Sequence, residues 1–245
     1  MINYFFFDHA SEFTLQPAKC PENVSTIIYG SSVKTTASFS FYAWRNFTAT
    51  PSFSMITVAV PSYLFYNGTA TSTNGATLDP LSDRMMDTCF RSGSLLIAHT
   101  VRVSSTDNRS MVRWYEYLMQ NWPVSGGIAR KQFGNINLAS PNYLYMPAIA
   151  KNGKGAISIL LSRSDSTRAA DLYTVSHKST DALNSMGPLT AFGTSTGQYA
   201  PGFHRWGDYF GTTVDPSDAS KFWGVGQLIG PGGIWTTEVR SWVVN

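Results

Sequence analysis

The sequence predicts an all-β fold built from repeated small antiparallel sheets, and two observations support this. First, Arg205-Trp206-Gly207-Asp208 shares an Arg-x-x-Asp core with Arg84-Met85-Met86-Asp87. With Pro147 placed in register between Asp87 and Asp208, the three copies are about 60 residues apart, a spacing typical of repeat architectures. Second, a polar turn and another apolar run follow both Asp87 and Pro147, so each copy has the pattern strand, turn, strand. This favours a series of small sheets over one large sheet.

The composition agrees with sheet structure. Aromatic residues make up 14% of the 245-residue chain and charged residues only 13%, about half of the usual charged share. The net charge of +3 is spread without a basic run, so neither nucleic acid nor an anionic membrane is expected as a partner. No apolar stretch approaches the roughly 20 residues of a spanning helix. The first residues lack the basic start and the cleavage site of a secretory signal.

The repeat predicts a β-propeller of about four blades, each a four-stranded antiparallel sheet, in a single domain. The expected blades are 1–62, 83–136, 143–196 and 203–245, and 63–82 is a Gly/Thr/Asn-rich loop. In the second blade, Met111–Tyr117 places large side chains on both faces, as a sheet packed on both sides requires. The first blade is expected to begin with a strand at Tyr4–Phe7.

The last blade offers only three evident strands, Asp208–Val214, Lys221–Leu228 and Trp235–Trp242. A closed propeller needs its final sheet completed, and the N-terminus supplies no clear spare strand. We therefore expect an incomplete ring in this chain. Further blades would come from an upstream segment or from another subunit, so self-association is predicted.

The run from Leu81 to Trp242 resembles the C-terminal half of sialidase-like, BNR-type β-propeller proteins of unknown function. The resemblance is carried by a set of segments in the same order. These are Ala98–Val101, Val112–Glu116, Tyr145–Ala150, Arg205–Tyr209, Val214–Pro216, Phe222–Trp223 and Trp235–Thr237. The resemblance implies a propeller fold and an extracellular or surface setting, and it implies no reaction. True sialidases use an arginine trio, a tyrosine-glutamate pair and an aspartate acid, of which this chain shows only part.

Arg84 and Arg205 are candidate ligand-binding residues, because loops that enter innermost strands line one mouth of a propeller channel. Two guanidinium groups there could hold a carboxylate or sulfate by bidentate hydrogen bonds. Asp208 and Tyr209 are then weak catalytic candidates, as acid or nucleophile in glycoside chemistry. The structural interpretation is favoured over this one: each arginine pairs with the aspartate of its own or an adjacent blade, and Arg84, Asp87, Arg205 and Asp208 form a buried charge ring.

Two loop aromatics, Tyr66 and Trp122, are further ligand-binding candidates, since exposed rings stack on sugars and also make subunit contacts. The alternative is that their loops fold back onto the blades. Glu116 lies in an aromatic strand far from the channel and is expected to be a satisfied outer-sheet residue. No metal-ligand spacing and no cofactor motif is present, so neither a metal nor a cofactor is expected, and Cys20 and Cys89 are predicted to be free thiols.

These observations favour a non-catalytic surface or extracellular module that binds a glycan or another protein, or that builds an extracellular assembly. A glycoside hydrolase or lyase acting on acidic glycans is the alternative. A viral coat protein with a jelly-roll fold ranks third, because two Greek keys would not generate the repeat near Asp87, Pro147 and Asp208.

Overall fold

The structure is a computed structural model that describes residues 14–20, 22, 26–46, 50–208 and 210–244. The predicted strand Tyr4–Phe7 lies outside the described residues. The strands are β1 (Gln16–Pro17), β2 (Thr26–Thr35), β3 (Ser38–Arg45), β4 (Ser52–Ala59), β5 (Ala70–Thr71), β6 (Ala76–Asp79), β7 (Met85–Arg91), β8 (Ser94–Arg102), β9 (Ser110–Leu118), β10 (Ala129–Ile136), β11 (Tyr143–Lys151), β12 (Ile157–Asp165), β13 (Arg168–His177), β14 (Thr190–Gly193), β15 (Gly202–Arg205), β16 (Gly211–Val214), β17 (Lys221–Ile229) and β18 (Trp235–Val243). Short 3-10 turns lie at Thr73–Gly75 and Pro231–Gly233.

Among the described residues, four antiparallel sheets follow one another along the chain. Blade 1 contains β1 to β4, blade 2 contains β7 to β10, blade 3 contains β11 to β14, and blade 4 contains β16 to β18. Within each blade the strands are neighbours in chain order. Because no Greek-key crossover connects these described strands, the topology differs from that of a jelly roll.

The first strands of the blades lie around a common axis. Strand β7 packs beside β1 and β11, and β11 packs beside β16. The remaining strands of each blade step outward from this axis in order. This arrangement confirms the predicted fold class, an all-β propeller of antiparallel blades. Blades 1 to 3 are four-stranded, and blade 4 has three strands among the described residues.

The innermost strands of blades 2 and 3 bend at equivalent positions. The pairing register shifts between Met85 and Asp87 on β7 and between Tyr145 and Ala148 on β11. Each shift marks a β-bulge, which bends a strand locally. The repeat seen in the sequence around Asp87 and Pro147 therefore corresponds to a shared bend beside the channel.

Asp208 does not occupy the third of these positions. It lies in the turn between β15 and β16, not on an innermost strand. Gly207 turns the chain there in the left-handed region, at a φ of 49°, which glycine adopts without steric cost. The expectation that Asp208 matches Asp87 and Pro147 on an inner strand is therefore wrong.

The segment 63–82, expected to be a loop, contains two strands of a separate small sheet. Strand β6 pairs with β5 and, in parallel, with β15, so that Arg205 lies opposite Asp79. Leu78 of this sheet packs in one apolar cluster with Tyr145 and Trp206. The small sheet thus covers the end of the propeller at which β11 begins, and it places Arg205 beside the channel.

Consecutive blades pack face to face. Between blades 1 and 2, the rings of Phe39 and Tyr115 meet edge to face at 5.1 Å. Between blades 3 and 4, the close approach depends on glycine, because a Cβ on Gly226 would lie 2.8 Å from Cδ2 of Leu172. Both faces of blades 2 and 3 are buried as a result, and this requires large apolar side chains on both sides of their strands.

A buried polar network also joins blades 2 and 3. Glu116 on β9 accepts hydrogen bonds from Lys151 Nζ at 2.8 Å, from Ser94 Oγ at 2.8 Å and from Gln132 Nε2 at 2.7 Å. Burial by itself would raise the pKa of Glu116, but these hydrogen bonds and the charge of Lys151 outweigh it and lower the pKa to about 2. Glu116 is thus a fully engaged carboxylate between two blades.

This network predicts a specific acid sensitivity. A carboxylate whose pKa is lowered by folding adds stability above its unfolded pKa and loses that contribution as the pH falls through its folded pKa. For Glu116 this interval runs from about 4.5 down to about 2. Glu116→Gln should be destabilised near neutral pH. The difference in unfolding free energy from the parent should shrink, on the order of 1–2 kcal/mol, between about pH 5 and about pH 2. Urea unfolding at a series of pH values measures this, and a constant difference would contradict it.

Candidate functional site

A cavity of 330 Å³ opens at the end of the channel where β7 begins, and it brings both predicted arginines together. Its lining consists of Thr14, Gln16, Leu81, Arg84, Met85, Met86, Asp87, Pro147, Arg205, Asp208 and Phe210. Arg84 immediately precedes β7, whereas Arg205 ends β15. We call this cavity the channel mouth.

Two hydrogen bonds anchor the turn that carries Arg205 and Asp208 to blades 3 and 4. Trp206 is buried, and its Nε1 donates a hydrogen bond to Ser162 Oγ of blade 3 at 3.0 Å. The backbone N–H of Gly207 donates to Gln227 Oε1 of blade 4 at 2.9 Å. These two anchors leave the flanking Arg205 and Asp208 directed toward the cavity that both line.

Arg205 and Asp208 form an ion pair at the surface. The Nη2 of Arg205 donates to Asp208 Oδ2, and the arginine side chain is 74% exposed. The structural alternative expected a buried charge ring, which would have kept this guanidinium away from solvent. Because Arg205 projects from the edge of the small sheet, the pair is solvated and its guanidinium remains accessible.

Asp87 is the buried carboxylate of the channel mouth, and its cationic partner is a lysine. Lys19 Nζ donates to Asp87 Oδ2, as does the backbone N–H of Ile149 at 2.8 Å, and the N–H of Thr88 donates to Oδ1 at 3.0 Å. Burial raises the pKa of Asp87 and is offset only in part by the charge and hydrogen bond of Lys19. The expected pairing of Asp87 with an arginine is therefore replaced by a pairing with Lys19.

Lys19 joins three blades at the axis. Its backbone pairs with blade 2, since Lys19 N–H donates to Thr88 O at 3.0 Å and Phe90 N–H donates to Lys19 O at 2.8 Å. Its ammonium group donates to Thr212 O of β16 at 2.7 Å as well as to Asp87. Sequence reasoning missed Lys19, because no local pattern marks a lysine that lies far from its partners in the chain.

Arg84 lies close to another acid, Asp83. Burial raises the pKa of Asp83, while a hydrogen bond with Tyr63 and the charge of Arg84 act in the opposite direction. The two Arg-x-x-Asp copies are therefore not equivalent in the folded protein. Asp208 pairs with the arginine of its own copy, whereas Asp87 pairs with Lys19.

Neither Tyr66 nor Trp122 provides a platform for a sugar ring. Tyr66 is 0% exposed, and its hydroxyl donates to Thr69 O at 2.9 Å. Trp122 is buried in the apolar cluster between blades 1 and 2. Their loops fold back onto the blades because burying a large ring stabilises the fold more than exposing it.

The remaining expectations concern Tyr209, metals and membranes. Tyr209 lies outside the described residues, so its catalytic role stays a prediction. Within the described ranges, no group of three or more histidine, cysteine or acidic residues could hold a metal ion, and Cys20 and Cys89 are free thiols. No helix in the same ranges is long and apolar enough to cross a membrane.

Comparison with known proteins adds little. No family model matches the chain, and no curated protein matches it significantly. The structure of Penicillium chrysogenum alpha-L-arabinanase complexed with arabinobiose is similar, with 12% sequence identity and a TM-score of 0.41 over 92% of this chain and 76% of that chain. A likeness of this degree says nothing about what the present chain binds.

The geometry predicts that Arg205 and Lys19 contribute very differently to stability. Arg205→Ala should cost less than about 1 kcal/mol, because an exposed ion pair contributes little. Lys19→Met should cost about 3 kcal/mol, because it removes the cationic partner of the buried Asp87 carboxyl group. Urea unfolding of both variants tests this. Equal losses of unfolding free energy in the two variants would show instead that Arg205 belongs to a buried charge ring.

Proposed function

We propose that the chain is a non-catalytic, sialidase-like β-propeller module of an extracellular or surface setting that binds acidic glycans at its channel mouth. The observation that carries this proposal is the accessible guanidinium of Arg205, which lines one cavity together with Arg84. Arginine binds carboxylate and sulfate groups in bidentate fashion. Asp208 occupies only part of the donor capacity of Arg205, since one nitrogen, Nη2, makes that bond.

The state of the carboxylates supports binding over hydrolysis. A glycosidase uses one carboxyl group as an acid and a second as a base or nucleophile. Asp87 already accepts three hydrogen bonds from Lys19, Ile149 and Thr88. Asp208 is paired with Arg205. Each of the two carboxylates is therefore already paired with a cation of the protein itself.

One observation favours the alternative of a glycoside hydrolase or lyase acting on acidic glycans. Asp87 and Asp208 line the same cavity, and burial raises the pKa of Asp87, as a general acid requires. If the protein is such an enzyme, it should release new reducing ends from an acidic polysaccharide such as polygalacturonate. Asp87→Asn should abolish the release.

Binding of monosaccharides tests the proposal directly. We expect galacturonic acid and N-acetylneuraminic acid to bind more tightly than galactose. Arg205→Gln should lower the affinity for the acidic sugars by roughly tenfold or more, because a charge-assisted hydrogen bond is lost. Arg240→Gln is a matched control, since Arg240 is also exposed and paired with an acid two residues away, Glu238. Calorimetric titration measures the affinities of the parent and of both variants for each sugar. Equal affinity for acidic and neutral sugars, or equal effects of the two substitutions, would contradict the anion site.

We also propose self-association, as the sequence analysis expects. Blade 4 exposes Trp223, Val239 and Val243 on its outer face, and β18 is an edge strand among the described residues. Exposed apolar faces and unpaired strand edges favour contact with another chain. Both faces of blades 2 and 3 pack against other blades of this chain, so the expected occupant of this exposed face is a blade of a second copy.

Size-exclusion chromatography with light scattering tests the association. The parent should elute as more than one chain at micromolar concentration. Val239→Asp should return it to a monomer, because the charge would have to be buried without a partner. A parent that is a monomer over the same concentration range would show that this face is free in solution.

A further inference from the structure

A second groove adjoins the channel mouth on the outer face of blade 4. Its volume is 520 Å³, and its lining consists of Tyr199, Arg205, Trp206, Gly207, Asp208, Val225, Gly226, Gln227, Trp235 and Thr237. Arg205 and Asp208 line both this groove and the channel mouth. The two cavities are therefore neighbours across one ion pair.

The groove lies at the end of the blade nearest the channel mouth. Side chains of directly paired residues on antiparallel strands point to the same face, and Gln227 pairs with Thr237 while Ile229 pairs with Trp235. Strand β18 begins at Trp235, at the end where β16 also begins. Trp235 and Thr237 therefore lie beside the turn that carries Arg205.

The polar part of the groove is held in place by hydrogen bonds. Gln227 Oε1 accepts from the N–H of Gly207 at 2.9 Å, and Gln227 Nε2 donates to the Tyr199 hydroxyl at 3.1 Å. The Tyr199 ring in turn stacks on His204, with centroids 4.5 Å apart. The groove is thus ordered by its own side chains before any ligand arrives.

The apolar part of the groove is the ring of Trp235, which is 66% exposed. A large exposed indole at the start of a strand has no role in the packing of blade 4 against blade 3, which uses the opposite face of the sheet. An aromatic face beside planar amide, carboxylate and guanidinium groups suits a sugar ring. The apolar C–H face of the ring can stack on the indole while its hydroxyls bond to the polar groups.

We propose that this groove is a second subsite, which binds a sugar ring next to the acidic sugar held at the channel mouth. The inference rests on the proposed function and extends it to a ligand class: an oligosaccharide, with an acidic unit at Arg84 and Arg205 and its neighbour stacked on Trp235. Arg205 and Asp208 lie between the two rings and contact both.

Two probes separate the subsites: galacturonic acid, which fills one, and tetragalacturonic acid, which spans both. We expect the tetrasaccharide to bind more tightly. Trp235→Ala should lower the affinity for the tetrasaccharide by roughly threefold to tenfold, the range for loss of one aromatic contact. It should leave the affinity for the monosaccharide unchanged. Arg205→Gln should weaken both probes.

Trp223→Ala is the matched control. Trp223 is also exposed on the outer face of blade 4, but it lies at the far end, where its Nε1 donates to Asp215 Oδ2 at 2.8 Å. It should not change the affinity for either probe. The titrations are compared at concentrations where light scattering gives the same mass for all variants, so that association does not enter.

Three results would overturn the inference while leaving the anion site intact. These are equal affinity for the monosaccharide and the tetrasaccharide, equal effects of Trp235→Ala and Trp223→Ala, and conversion of an oligomer into a monomer by Trp235→Ala, which would make a second copy the occupant of the groove. If the parent binds neither probe, the proposed function fails and the second subsite fails with it.

Discussion

The carboxylate of Asp87 is the group on which the centre of the molecule depends. It lies on the innermost strand of blade 2 and accepts hydrogen bonds from Lys19 and from the backbone of Ile149 in blade 3. Lys19 also reaches Thr212 in blade 4. One buried carboxylate thus connects the inner strands of three blades, and one ammonium group and two backbone N–H groups offset part of the cost of its burial. The same strands form walls of the channel mouth, so the contacts that hold these strands together also hold the shape of the cavity.

In the candidate site, a turn that is anchored to two blades carries charged side chains that remain accessible. The turn from Arg205 to Asp208 is fixed through Trp206 in blade 3 and Gly207 against blade 4, while Arg205 and Asp208 remain near solvent. A loop that is held at two points can present charged groups in a defined position without burying them. This is the arrangement expected of a recognition site, because an ordered cation loses little freedom when it binds an anion.

Blade 4 differs from blades 2 and 3 in the character of its outer face. In the interior blades, polar groups between sheets are fully engaged, as Glu116 is with Lys151. The outer face of blade 4 instead presents aromatic and aliphatic side chains to solvent, with Trp235 at the channel end and Trp223 at the far end. Val239 of the proposed association surface lies between these two tryptophans, paired with the groove-lining Val225. The proposed association surface therefore adjoins the proposed subsite.

The sequence by itself determined the all-β fold and its small antiparallel sheets, because alternation and turn residues are local properties of the chain. Its expectation that Arg84 and Arg205 lie at one channel mouth agrees with the cavity that both line, although Arg205 reaches that cavity from the small sheet and not from a loop equivalent to that of Arg84. Only the tertiary structure decided that Lys19 is the partner of Asp87, that Tyr66 and Trp122 are buried, that Asp208 lies in a turn, and that Trp235 is exposed beside Arg205. Each of these depends on contacts between residues far apart in the chain, and neither composition nor spacing carries the distance between such residues.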